Sequence, residues 1–297
     1  MGMGGNFARA TPDSSRTEEA LAKCELTVQV TTKLNKTHLA HGKKALILPC
    51  LGRSELDVQA FGEQSVTVED SMGVVHSSRG RNQPASENLK SEVAIVVGMA
   101  RAAFPENQNI WQALQDDYSL IRKKIESVLP ELFENYNEKI TQPGGFRLYN
   151  SAAARKWNTK TGKARFITKP LPILEVPAGK LRLMTIRSHD QYNTTIYGLN
   201  DRYRGIFGTR RVILMNLHDI ASLGIEHGQK FVIESHMEDG RKRQVSGFHA
   251  VRYNIPQGCA ASYFPETNEL IAVEYTADRS FTPISKLVPV TVHKSSE

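Results

Sequence analysis

The sequence predicts an α+β protein in which an α/β segment is followed by a closed β-barrel. Three observations carry this. Helix and strand signals alternate over residues 1 to 105. Helical periodicity then runs on to about residue 136. After a connector marked by Pro170, Pro172 and Pro177, many short strand signals follow, separated by turns.

Taken in order, Asp13-Ser14-Ser15 supplies capping residues for a helix through Glu18-Glu19-Ala20-Leu21-Ala22. Leu26 to Val30 reads as a short strand. A segment from Asn35 to His41 ends at Gly42, and Ala45-Leu46-Ile47-Leu48-Pro49 is a second apolar strand. Helix and strand alternating at this spacing argue for a parallel sheet. Gln64 to Glu69 and Gly73 to His76 form a β excursion. Ser86-Glu87-Asn88 opens a helix whose Val93, Val96, Val97, Ala100 and Ala103 recur at helical spacing, and Phe104-Pro105 closes it. Asn109 to Tyr136 is amphipathic and is broken by Pro130.

Phe146 to Tyr149 and Ala164 to Ile167 are short strand candidates flanking a polar, basic stretch. The barrel strands are expected at Leu181–Thr185, Val212–Met215, Lys230–Ser235, Val245–Tyr253, Leu270–Tyr275 and Val288–His293. Glu238-Asp239-Gly240 and Pro256-Gln257-Gly258 supply the turns. Asp219 to Leu223 reads as a helix capped by Gly224. Strands this short, spaced this evenly, close into a barrel.

Composition narrows the function classes. No run of about 18 apolar residues occurs, so no transmembrane helix is expected. The start, Met1 to Arg9, lacks the apolar region of a signal peptide. Cys24, Cys50 and Cys259 lie far apart without a Cys-x-x-Cys pair, which argues against a zinc site or iron–sulfur cluster. The expectation is a cytoplasmic chain with free thiols. A formal net charge of +7 favours anionic partners. No nucleic-acid-binding signature accompanies it, so nucleic acid is not the expected partner.

The densest functional signal is the stretch from Leu183 to Thr195. A short apolar run gives way to Arg187, Ser188, His189, Asp190, Gln191, Asn193 and Thr194. A strand that delivers a guanidinium, an imidazole, amides and hydroxyls at its end suits a large, polar, phosphate-bearing ligand. His189 beside Asp190 reads as a structured loop pair rather than a general base, and Asp190 suits either a turn or a hydrogen bond from a ligand's N–H groups.

Further motifs follow in a fixed order. Gly162-Lys163-Ala164-Arg165-Phe166 precedes Thr185-Ile186-Arg187. Asn216-Leu217-His218-Asp219, Leu223-Gly224-Ile225-Glu226-His227-Gly228, Pro256-Gln257-Gly258, Asn268 and Lys286 come after it. This series resembles the C-terminal dinucleotide-binding domain of molybdopterin oxidoreductases, the group containing formate dehydrogenases and dimethyl sulfoxide reductases. The loop Thr185 to Thr194 is most similar to that of the formate-dehydrogenase-like alpha-subunit branch. In the first half, Gly4-Gly5-Asn6, Leu46-Ile47-Leu48-Pro49 and the stretch from Glu69 through Gly73 and Gly80 to Arg81 resemble the end of the preceding domain.

The resemblance implies a partial Rossmann-like α/β domain with trailing helices over residues 1–140. It implies a connector over 141–180 and a six-stranded double-psi barrel over 181–297. The implied cofactor is bis(molybdopterin guanine dinucleotide) with molybdenum or tungsten. The residues implied to hold it are Gly4, Gly5, Asn6, Arg81, Thr185, Arg187, Ser188, Gln191, Asn193, Thr194, Asn268 and Lys286. No residue is expected to ligate the metal or to act catalytically. In the family the metal ligand, and any iron–sulfur cysteines, lie upstream of the glycine turn.

The chain is therefore expected to be the C-terminal part of a longer enzyme, inactive alone. Its expected partners are that enzyme's N-terminal portion and an electron-transfer protein. The parent reaction is expected to be a formate-type two-electron oxidation. A non-catalytic cofactor-binding or assembly module, working with a separate catalytic chain, is the competing expectation.

Overall fold

The structure is a computed structural model that describes residues 1–171, 175–192, 196–226 and 228–295. The chain divides into two compact units. The first comprises Met1–Gln29, Leu34–Ile47 and residues 172 onward, and the second Val30–Lys33 and Leu48–Leu171.

The chain begins with β1 (Gly2–Met3), α1 (Phe7–Ala10), α2 (Ser14–Ala22), β2 (Leu26–Thr31), α3 (Lys36–Leu39) and β3 (Lys44–Pro49). The three strands form a sheet in the order β1-β2-β3. Asn35 caps α3: its side chain accepts from the Thr37 amide at 2.9 Å, and His38 Nδ1 accepts from the Asn35 amide at 2.9 Å. Asp13 stands at the start of α2 but does not cap it. Its carboxylate is taken by Arg243, and Glu269 accepts from the Ser15 amide instead, at 2.8 Å.

The second unit holds β4 (Val58–Gln59), β5 (Gly62–Glu63), β6 (Val66–Glu69) and β7 (Val74–Ser78). It continues with α4 (Glu92–Ala103), α5 (Gln108–Asp116), α6 (Tyr118–Val128), α7 (Pro130–Phe133), α8 (Tyr136–Lys139) and β8 (Phe146–Arg147). The β6–β7 hairpin turns because Asp70 Oδ1 accepts from the Met72 and Val74 amides at 2.8 and 3.1 Å, with Gly73 at φ +73°. A small core of Val75, Tyr136 and Ile140 forms beside it.

Three expectations change in this unit. The helix expected from Ser86 opens only at Ser91, whose Oγ accepts from the Ala94 amide at 3.1 Å. The long amphipathic stretch breaks first at Asp117, which caps α6 by accepting from the Ser119 amide at 2.8 Å, and only then at Pro130. Ala164 to Ile167 is not a strand. Phe166 is 95% exposed, so no partner strand draws the segment in.

The chain returns to the first unit with β9 (Leu181–Ile186), β10 (Val212–Met215), α9 (Leu217–Ser222), β11 (Lys230–Ser235), β12 (Arg243–Arg252), β13 (Cys259–Tyr263) and β14 (Val288–Lys294). Strands β10-β12-β11-β14-β9-β13 close into a six-stranded barrel. The pairs β10/β12 and β13/β9 are parallel, and the other four are antiparallel.

Alternation sends Leu183, Phe231, Ile233, Val288 and Val290 inward to meet Ile213, Met215 and Phe248. Burying each such side chain contributes about 1.5–3 kcal/mol. The sixth strand differs from expectation. Leu270 to Tyr275 begins in a 3-10 turn, Asn268–Leu270, and the barrel is closed by Cys259–Tyr263. The small apolar residues Ala260 and Ala261 let β13 lie between β10 and β9.

Candidate functional site at the end of the first barrel strand

Alternation along β9 buries Leu183 and Thr185 and leaves Met184 facing out. The strand ends at Ile186, so Arg187 is the first residue beyond the barrel wall. Its side chain is exposed and makes no ion pair with any described residue. Lys286 reaches back to the Thr185 carbonyl and donates to it. Partial desolvation and the neighbouring Arg187 charge both push the Lys286 ammonium below its ordinary pKa. Two cations therefore lie close enough to feel one another's charge at the end of this strand.

Beneath them the loop is locked. The Ser188 amide donates to Gln191 Oε1 at 3.1 Å, and Gln191 Nε2 donates to the Phe264 carbonyl at 2.9 Å. Arg210, 4% exposed, donates to Ser188 Oγ at 2.7 Å, Gln191 Oε1 at 2.9 Å and the Phe264 carbonyl at 2.8 Å. Glu266 neutralises it at 2.7 Å, and the rings of Tyr197 and Tyr263 lie 3.8 and 4.7 Å from its guanidinium carbon. Ser188 and Gln191 thus hold the loop's shape, while Arg187 and Lys286 present charge.

A second lock fixes His189. Asp201, 1% exposed, accepts from His189 Nδ1 at 2.9 Å, Arg204 at 2.6 Å and the Tyr263 hydroxyl at 2.9 Å. Burial raises the Asp201 pKa, but these three donors outweigh it and hold the carboxyl down at about 2. Arg204 also donates to the Arg187 carbonyl at 3.0 Å, so the strand end is pinned through its backbone. The pair expected between His189 and Asp190 is therefore replaced by one with Asp201.

The other sequence-derived residues fall in separate places. Gly4 turns at φ +65°. The Gly5 carbonyl accepts from Asn35 Nδ2 at 3.2 Å, and Asn6 Oδ1 accepts from Thr37 Oγ1 at 3.3 Å, so α3 braces this glycine turn. Asn268 is buried, and its amide donates to the carbonyls of Arg9 and Thr11 at 2.8 and 3.3 Å. Arg81 belongs to the second unit, where its amide donates to the Ser54 carbonyl at 2.8 Å. There it lines a cavity of about 590 Å³ with Arg79 and Ser77. Asn193 and Thr194 lie outside the described residues.

The motif Asn216-x-x-Asp219 has a structural task. Asn216 caps α9 and donates to the Ile255 carbonyl at 2.7 Å, while Asp219 accepts from the Gly258 amide at 2.8 Å. Two motifs distant in sequence therefore clamp one barrel end.

The residues that sequence reasoning missed are Arg210, Asp201, Arg204 and Glu266. Their available signal was a block of charge, Asp201-Arg202-Tyr203-Arg204 and Arg210-Arg211, set directly before the fully apolar strand β10. A charge in that position needs a buried partner. No group of three or more His, Cys, Asp or Glu side chains suited to a metal exists among the described residues.

Residues 181–291, which contain the barrel and its loop, match the Molydopterin dinucleotide binding domain family. That part of the chain is similar to domains of that kind. Over its whole length the chain is 48% identical to a protein from Mycobacterium tuberculosis named as an uncharacterized oxidoreductase, covering 39% of that protein. It is 44% identical over 99% of its length to Protein YdeP of Escherichia coli K12, again covering 39%. The chain thus spans about two fifths of the length of these relatives. Its fold is similar to that of acetylene hydratase from Pelobacter acetylenicus, with a TM-score of 0.61 at 13% identity, over 96% of this chain and 42% of that one.

Proposed function

We propose that this chain is the cofactor-binding C-terminal part of a molybdopterin oxidoreductase. The cofactor is bis(molybdopterin guanine dinucleotide), with molybdenum or tungsten. One observation carries the reading: within the domain that matches a dinucleotide-binding family, Arg187 and Lys286 present two uncompensated cations at the end of β9. The chemistry of this donor set fits a pyrophosphate-bearing ligand.

Arg187 and Lys286 take the negative charge, and Thr185 holds Lys286 in place. Ser188 and Gln191, braced by Arg210, keep the loop from collapsing onto the site. Gly4, Gly5 and Asn6 offer backbone close to the ligand, and Asn193 and Thr194 supply neutral hydrogen bonds to it. Asn268 anchors the end of α1. When bound, the metal and its pterins supply two-electron redox chemistry, while the chain supplies orientation and charge.

The finer reading is a double-psi barrel after a partial Rossmann-like domain, in an enzyme of the formate-dehydrogenase-like branch that performs a formate-type oxidation. The likeness of the loop Thr185 to Thr194 to that branch supports this. The upstream part of such an enzyme would hold the metal ligand, and an electron-transfer protein would take the electrons.

The test is to purify the chain from a host that makes the dinucleotide and assay acid-released pterin and GMP. Both, in equal amounts, are the expected result. Protein free of both, from a host whose other dinucleotide enzymes are loaded, would sink the proposal.

A further inference from the structure

The outer face of the barrel brings two histidines to one hydroxyl. Strands β11 and β14 pair antiparallel, with Glu234 opposite Thr291 and Ser235 opposite Val290. The His236 amide donates to the Pro289 carbonyl at 2.9 Å, so the pairing runs one residue past β11. Val290 and Val292 turn into the core, and alternation therefore puts Thr291 and His293 on the outer face. Ser235 is buried, so His236 takes that same face, diagonal to Thr291. His236 Nε2 lies 2.9 Å from Thr291 Oγ1, and His293 Nε2 lies 2.8 Å from the same atom.

One hydroxyl carries one proton, so it donates to one ring and accepts from the other. Both rings thus aim the same nitrogen at one point from different places in the sheet. Imidazole nitrogens that converge on a point are the donors a borderline transition-metal ion selects. A neutral imidazole can carry its proton on Nδ1, which leaves the Nε2 lone pair for a metal. His236 is half-buried and His293 is exposed, so the point between them is open to solvent ions. Glu234, opposite Thr291, is held by Lys242 at 3.4 Å. No third His, Cys, Asp or Glu completes the group among the described residues, so water fills the remaining coordination positions.

We propose that His236 and His293 form a two-imidazole site for a zinc-class divalent cation. The two Nε2 atoms ligate the ion, and the Thr291 hydroxyl turns aside. The site shares no residue with the proposed dinucleotide contacts, so neither reading depends on the other.

The experiment titrates the 297-residue chain, free of any affinity tag, with zinc chloride by calorimetry. Wild type is expected to show saturable binding. His236→Ala and His293→Ala are each expected to bind at least about tenfold more weakly, a loss that even the supporting contacts of a metal ligand bring when removed. His218→Ala, at an exposed histidine elsewhere, is expected to stay within about twofold of wild type. Thr291→Val is expected to bind at least as tightly as wild type, because no hydroxyl then competes for the rings.

Nitrogen shifts of the histidine rings in wild-type NMR spectra locate the site whether or not the variants fold. Zinc is expected to shift His236 and His293 together, with Nε2 as the ligating atom in both. The proposal is overturned by an absence of saturable binding, or by either histidine variant binding like wild type. A loss in Thr291→Val equal to that of the histidine variants would also overturn it. So would ring shifts confined to other histidines, or binding traced to the exposed Cys24 alone.

Discussion

The two units solve the same problem of burying polar groups in different ways. In the barrel unit, buried charges are paired. Arg243 lies between Asp13 and Asp239 at 2.6 Å from each, Arg210 faces Glu266, and Asp201 collects three donors. In the second unit, the central network is held by hydroxyls. The Tyr118 hydroxyl donates to Asp57 at 2.6 Å and lies 2.7 Å from Ser91 Oγ. Burial and Asp57 together push the Tyr118 phenol far above its ordinary pKa, so it stays a neutral donor.

The apolar contrast runs the same way. The barrel closes around a continuous core, while the helices of the second unit leave Ile110 and Val128 more than half exposed. A closed, ion-paired scaffold is the better place to hold cations outward in a fixed geometry. That is where Arg187 and Lys286 are found.

The comparison yields tests of decreasing size. Arg243→Leu strands Asp13, 2% exposed, beside Asp239, and should cost about 3–5 kcal/mol in urea unfolding. A loss under about 1 kcal/mol would mean the buried pairs do not carry the barrel. Ile213→Ala, at a fully buried core position, should cost about 2–5 kcal/mol, while Val128→Ala, at 75% exposure, should fall within about 0.5 kcal/mol of wild type. Equal losses would erase the contrast between the units.

In the second unit the sharpest constraint is backbone packing. A Cβ on Gly80 would sit 1.9 Å from the Glu55 carbonyl oxygen, so Gly80→Ala should cost about 1–3 kcal/mol. An unchanged midpoint would show that this segment yields easily.

The smallest effect is one of pH. Asp201 titrates near pH 2 when folded, below its unfolded value of about 3.9. Its contribution is therefore complete above pH 4 and is lost as pH falls towards 2. Asp201→Asn should flatten that part of the acid-stability curve, and an unchanged slope would separate the His189 lock from stability.

Much of the barrel was legible because short apolar runs rich in β-branched and aromatic residues, such as Phe231-Val232-Ile233, read as strands when polar residues and turns bound them. The strand Cys259–Tyr263 was not legible. Its alanines carry no β signal, and its place comes from its neighbours β10 and β9. Leu270-Ile271-Ala272 misled for the opposite reason. These residues are apolar because they fill the core from an irregular segment.

At the site, Arg187 and Lys286 stood out in the sequence. Their support did not, since the pairing of Arg210 with Ser188 and of Asp201 with His189 spans 22 and 12 residues. Local pattern holds no record of such contacts. The same holds for Asn268, which motif order marks as a cofactor contact and whose amide is engaged by the Arg9 and Thr11 carbonyls.

The central claim is that the loop after β9 grips a pterin dinucleotide through charge. The direct test compares dinucleotide retained per chain in wild type and in Arg187→Gln, with melting temperature measured alongside. The account predicts that retention falls at least about tenfold while the melting curve of cofactor-free protein is unchanged, because Arg187 makes no ion pair within the described fold. Equal retention in the two proteins would contradict it.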